Sequence, residues 1–275
     1  MALTNRVGIT FIGATLMFSS TVLSLPGHAA TVATSQGDEL ISYIKLLPAT
    51  EQKKIETYES VIRDHLNQNF SIIRTVRILT THYPQDVEQI LLAAYQQHPK
   101  RIAVISRAVI RSEPALTTDV LDTALSVAPD DCEQIVRMAI EAEPAYIDDI
   151  VAVAAQHAPE KLDSIIRVAI TTEPDFSGSI VRSAALSSPT EFFDALVNAV
   201  TQIPDSAQTI FYAVRDFFTD SEQSPQTVPA TSSEQWSAFI NQAKSSGVTR
   251  EEMEWFKEQG YITEQQLAAV YENGH

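Results

Sequence analysis

The sequence predicts an all-α protein. Its architecture is an α-solenoid, a superhelix of short antiparallel helix pairs, followed by a small helical C-terminal module. Three observations predict this. Nine prolines (Pro84, Pro99, Pro114, Pro129, Pro144, Pro159, Pro174, Pro189 and Pro204) succeed one another at intervals of fifteen residues. Between them, apolar residues recur at positions 4, 7, 8 and 11 of each unit, the i, i+3, i+4, i+7 stripe of a 3.6-residue helix. A weaker pattern repeats every thirty residues, which makes the structural unit a pair of helices with two different faces.

The elements follow in chain order. Residues 1–30 read as a secretory leader. Arg6 is its only charge, Val7–Leu25 is apolar, and Pro26-Gly27 and Ala29-Ala30 supply a helix breaker and a small-residue cleavage site. Cleavage is expected after Ala29 or Ala30. The apolar stretch is also long enough to span a bilayer as a retained anchor, but Pro26-Gly27 and the alanines favour cleavage. No membrane span is expected once the leader is gone. Cys132 is the single cysteine, so no intramolecular disulfide can form, and no cysteine lies near the cleavage site to carry a lipid. These features place the mature chain outside the cytoplasm, in a bacterial periplasm rather than the exterior.

Residues 31–68 are expected to form an amino-terminal helical cap. Thr31–Ser35 should be loose, and helices should run over Gly37–Leu47 and Thr50–Leu66, carried by Leu40, Tyr43, Ile44, Ile55, Tyr58, Val61 and Ile62. The repeats then occupy 69–218 in five pairs: 69–98, 99–128, 129–158, 159–188 and 189–218. Position seven reads Ile90, Ile105, Val120, Ile135, Ile150, Ile165, Ile180, Ala195 and Ile210, and position eleven is mostly alanine. Proline suits the first helical turn because its missing N–H has no partner there. Acids such as Asp130, Asp131 and Glu160 follow it where the helix dipole favours negative charge. Each unit therefore reads as a helix of eleven or twelve residues and a turn. One continuous helix is excluded, because an interior proline costs about 3 kcal/mol and pushes its predecessor out of the α region. Stacked pairs of this kind loosely resemble HEAT-like repeats, which implies an architecture and no activity.

Residues 219–233, rich in Ser, Thr, Gln and Pro, read as a linker. The tail, 234–275, reads as helices over Glu234–Ser246, Arg250–Gln259 and Thr263–Glu272. Thr249 with Glu252, and Thr263 with Gln266, have capping-box spacing. Trp236, Trp255, Phe256 and Tyr261 are candidates for a small core or a docking face. The run Phe256–Gln266, with its Gly-x-Ile-Thr-Glu turn, resembles the tail modules of the SHOCT family.

Function must be read from charge, because no reaction motif is present. Thirty-five acids against nineteen bases give a net charge of −16, which argues against a nucleic-acid partner. There is no phosphate loop, no nucleophile elbow and no metal-ligand spacing, so no catalytic residue, metal or other cofactor is assigned. Cys132, in the apolar position-four column, is expected to be an inert buried thiol. The one feature that suggests a binding role is position nine: Arg77, Arg107, Arg137 and Arg167 stand thirty residues apart, beside the apolar stripe. They would form a positive stripe on an acidic body, either contacting a partner or bracing the array through Glu133–Arg137 and Asp163–Arg167 pairs. Glu113, Glu143 and Glu173 could brace neighbouring units as well. The expectation is a non-catalytic scaffold for a protein or peptide. The alternatives are a structural component of the cell surface or matrix, and a carboxylate-based enzyme acting on polysaccharides.

Overall fold

A computed structural model describes residues 28–221 and 232–272, with side chains for 37–219 and 232–272. Among these residues every regular element is helical. The leader up to residue 27 and most of the linker lie outside the described residues.

The array owes its regularity to the residue before each proline. Glu143, for example, is extended at φ −150° and ψ 83°, the conformation that the following ring enforces. Its N–H still closes the preceding helix on the Ala139 carbonyl at 3.0 Å, and its own carbonyl accepts from the Tyr146 N–H at 3.2 Å. One residue thus ends one helix and begins the next, and the N–H that proline lacks would have had no acceptor. Proline opens a three-residue 3₁₀ turn, and the α-helix starts after it rather than at the proline itself. Pro189 is an exception, since Pro189–Glu191 forms a plain turn.

The repeat helices alternate between two layers. The first layer holds α3 (Ile72–His82), α5 (Ile102–Ser112), α7 (Cys132–Ala142), α9 (Leu162–Thr172) and α11 (Phe192–Gln202). The second holds α4 (Val87–Gln97), α6 (Thr117–Val127), α8 (Ile147–His157), α10 (Ser177–Ser187) and α12 (Ala207–Ser221). Each helix packs on its neighbour in the same layer and on its sequence neighbours in the other. That is the packing of an α-solenoid, in which no single pair can bury its own stripe. Ile105, Ile135, Ile150, Ile165 and Ile180 from position seven are all fully buried between the layers. Ala94, Ala124, Ala139, Ala154, Ala169, Ala184 and Ala199 from position eleven are fully buried too.

The first unit departs from the pattern. Asn69 takes a left-handed φ of 66°, and Ser71 caps α3 by accepting from the Arg74 N–H at 3.2 Å. α2 (Ala49–Asn67) continues the second layer beside α4, as a cap should. α1 (His28–Leu46) does something different, because it lies across α4 and α6. It buries Leu40 and Ile44, and Tyr43 donates to Glu88 at 3.1 Å. Leu92, the position-nine residue of α4, is fully buried, whereas Asp122 and Arg182 at the same position of α6 and α10 are exposed. Thr31–Ser35 is part of α1 rather than loose, since it contains no proline and continues from the helix formers Ala29 and Ala30.

The C-terminal end is closed by the tail. α12 runs on to Ser221, so residues 219–221, read as linker, are helical. α13 (Ser233–Ser245), α14 (Arg250–Glu258) and α15 (Glu264–Tyr271) follow, each opened by a full capping box from Ser232, Thr249 and Thr263. The Ser232–Gln235 box was not anticipated. Gly247 and Gly260 take φ of 87° and 82° at the turns after α13 and α14, a region that favours glycine. α13 packs beside α11 in the place of a further first-layer helix.

Candidate binding surface

Position nine on the first layer puts Arg77, Arg107, Arg137 and Arg167 on four successive neighbouring helices. Neither within-helix pair, Glu133 with Arg137 or Asp163 with Arg167, closes as a salt bridge among the described residues, although the charge of Arg137 does act on Glu133. Arg107 on α5 pairs with Glu141 on α7 at 2.7 Å, and Arg167 on α9 pairs with Glu133 on α7, also at 2.7 Å. Both bridges cross to the adjacent helix of the layer. An arginine is long enough to span the groove, and the neighbouring helix offers a carboxylate without the chain having to bend back on itself. The hydrogen bond from Arg167 holds the Glu133 carboxyl below its ordinary range, with smaller help from Ser164 and from the charge of Arg137. Glu113 also reaches across, accepting from Thr81 at 2.7 Å.

Arg77 and Arg137 are exposed. Neither has a hydrogen bond or a salt bridge from its guanidinium among the described residues, and the same holds for Arg111. These arginines border two grooves. Between α3 and α5 lies one of about 320 Å³, lined by Ile73, Arg77, Val104, Arg107, Ala108 and Arg111. Between α5 and α7 lies another of about 350 Å³, lined by Ala103, Val104, Arg107, Gln134, Arg137 and Met138. Val104, half exposed at 50%, forms the ridge they share.

Charge along this layer is graded. α3 and α5 carry Arg74, Arg77, Arg107 and Arg111 and contain no acid. The groove between α9 and α11 is instead lined by Glu160, Asp163, Glu191 and Asp194. There Asp163 accepts from the Gln202 amide at 3.4 Å and Asp194 from the Gln235 amide at 2.9 Å. The cationic half of the layer could therefore hold an anionic ligand with apolar parts, using fork-shaped donors suited to carboxylates.

Of the four tail aromatics, Trp236 and Phe256 turn inward onto the last repeat pair, while Trp255 and Tyr261 keep part of their surface exposed. Trp236 and Phe256 are 3% and 0% exposed. Trp236 lies 4.8 Å from Phe193 and 5.5 Å from Phe218 between ring centroids, and Tyr261 lies 4.8 Å from Phe218. Trp255 stacks on Tyr261 at 6.0 Å, and both are only partly buried. The last repeat pair ends in an apolar face that no further repeat covers, and the tail rings fill it. A signal for this was present in the sequence: Phe192, Phe193, Phe211, Tyr212, Phe217 and Phe218 concentrate aromatics in the final pair alone.

The remaining candidate groups have local roles. Cys132 is buried, and burial pushes its thiol pKa up, which suppresses the thiolate. His82 bonds the Ile78 carbonyl at 2.8 Å and His157 pairs with Asp122 at 2.7 Å. Among the described residues no three His, Cys, Asp or Glu side chains converge as metal ligands, and no helix is long and apolar enough to cross a membrane. Comparison with protein-family models, curated proteins and solved structures finds no match.

Proposed function

We propose that this chain is an exported, non-catalytic scaffold that holds a protein or peptide partner on the first-layer face, along α3, α5 and α7. The leader over residues 1–30 supports export, and a core of this size needs no disulfide staple in a bacterial periplasm. The observation that carries the reading is that Arg77 and Arg111, beside an open groove, make no hydrogen bond or salt bridge among the described residues, while Arg137 on the next groove is held only by its charge interaction with Glu133. α3 and α5 carry four arginines and no acid, so this end of the layer is locally cationic within an acidic chain. A solenoid face of this kind suits an extended partner. On this reading the array is HEAT-like in its pairing, and the turn at Gly260 is SHOCT-like.

The test is photo-crosslinking in the producing cell, with the reactive group placed at Val104 on the shared ridge. The reading expects a discrete protein adduct that disappears when Arg77 and Arg137 are both replaced by alanine. No adduct at Val104, or one indifferent to those replacements, removes the surface from consideration.

A further inference from the structure

We infer that the partner segment is an acidic peptide in the polyproline-II conformation, with a carboxylate at every third residue. This rests on the scaffold reading above and specifies its ligand. The argument starts from spacing. Arg77, Arg107 and Arg137 occupy the same position on three adjacent, similarly directed helices of one layer. Packed helices stand about 8–10 Å apart, so the backbone positions of the three arginines repeat at about that interval across the layer, and the Arg107 guanidinium must swing back from Glu141 on α7 to hold the same spacing. A peptide crossing the helices must present its carboxylates on one side at a matching interval. A β-strand cannot do so, because its same-side residues recur at roughly 6.6 or 13 Å. A polyproline-II helix turns once in three residues with a rise of about 3.1 Å each, so every third side chain faces the same way at about 9.3 Å.

The chemistry between the anchors points to a peptide rather than a polyanionic sugar. The space separating the arginines is walled mainly by Ile73, Val104, Ala103 and Ala108, with Ser112 and Gln134 as its uncharged polar groups, so it offers more to apolar side chains than to a run of hydroxyls. Val104 keeps 50% of its surface exposed on the ridge between the grooves. Arg107 is the one anchor already engaged, and its Glu141 partner is itself 41% exposed. An exposed pair of that kind is weak, so a peptide carboxylate can replace Glu141 without breaking a buried interaction. Polyproline-II segments also lose little conformational freedom on binding, which suits a shallow face.

The experiment measures fluorescence anisotropy with the mature protein at low ionic strength. The probe is a short, end-blocked peptide carrying an aspartate at every third residue, with Pro, Ala or Leu between. Two control peptides have the same composition, one with the aspartates adjacent and one with them seven residues apart, the spacing suited to a helix. The every-third peptide should bind most tightly. Replacing Arg77, Arg107 and Arg137 together by alanine should weaken it about tenfold or more, three exposed charge contacts being removed at once. Lysine replacements should retain part of the binding, and circular dichroism should show each variant folded. Equal binding of the three peptides overturns the spacing. Tighter arginine-dependent binding of an anionic polysaccharide fragment overturns the choice of a peptide. If the crosslinked partner in the cell is retained while the spacing preference fails, only this inference falls and the scaffold reading stands.

Discussion

The Trp236 indole meets the Phe193 ring edge-on, with centroids 4.8 Å apart, joining the tail to the last first-layer helix. Phe239 and Phe256 complete the contact at 5.8 and 5.3 Å from Trp236. Trp236→Ala should therefore act on both sides of the junction. Truncating a buried tryptophan costs about 3–5 kcal/mol. Because solenoid repeats interact with their neighbours only, the loss should stay near the end. Hydrogen exchange should show lost protection in α11 through α15, with α5 through α8 unchanged. Uniform loss along the array would refute the junction as a local cap.

Arg107→Ala should leave the fold nearly as stable as before. Both members of its pair with Glu141 are about two-fifths exposed, at 40% and 41%. Pairs so placed contribute less than about 1 kcal/mol. A loss of unfolding free energy greater than that in urea titration would show that Arg107 braces the array and would weaken its assignment to a ligand.

Thr75 is fully buried, and its hydroxyl has no partner among the described residues. It stands at position seven, where Ile105, Ile135 and Ile165 fill the same place in later units. Thr75→Val preserves the shape and removes an unsatisfied polar group, so it should stabilise the amino-terminal end by about 1 kcal/mol. Chemical denaturation followed by circular dichroism measures this directly, and a loss of stability would mean the hydroxyl has a bonding role.

Acid should weaken the molecule through named carboxylates. Hydrogen bonding from Tyr58 lowers the Asp86 pKa, that from Arg167 lowers Glu133, and that from Tyr212 lowers Glu252. A carboxyl depressed by folding contributes stability that is complete above its unfolded pKa and fades as pH falls through the folded value. The melting temperature should thus hold from roughly pH 7 to 5 and drop below about pH 4. Glu59, raised by burial, works in the opposite sense and softens the drop. Arg167→Met should make the acid limb shallower, by removing the main cause of the Glu133 shift. An unchanged limb would place the acid sensitivity elsewhere.

Most of the array was legible because its determinants are local. Proline spacing fixes where each helix starts, and the apolar stripe fixes which side it buries. The face carrying Arg77 and Arg137 followed from the same counting. Contacts that join distant segments were harder to read. That α1 covers α4 and α6 depends on Leu40 and Ile44 meeting a surface distant in the chain, and the hint was Leu92 standing at a position that is Asp122 in α6 and Arg182 in α10. The partners of Arg107 and Arg167 were missed because helical i, i+4 spacing ignores the neighbouring helix, which is as close in space. The inward turn of Trp236 and Phe256 was marked not in the tail itself but in its target, the aromatics Phe192, Phe193, Phe211, Phe217 and Phe218 of the final pair.

The alternation of layers restricts how such a gene can change its length. A deletion or duplication of fifteen codons would preserve every local signal, yet it would send each downstream helix to the opposite side and leave the arginines facing two ways. Only steps of thirty codons keep the file in line. Inheritance would therefore lengthen or shorten this protein in whole pairs, and a change within the first four pairs would add or remove one arginine of the row.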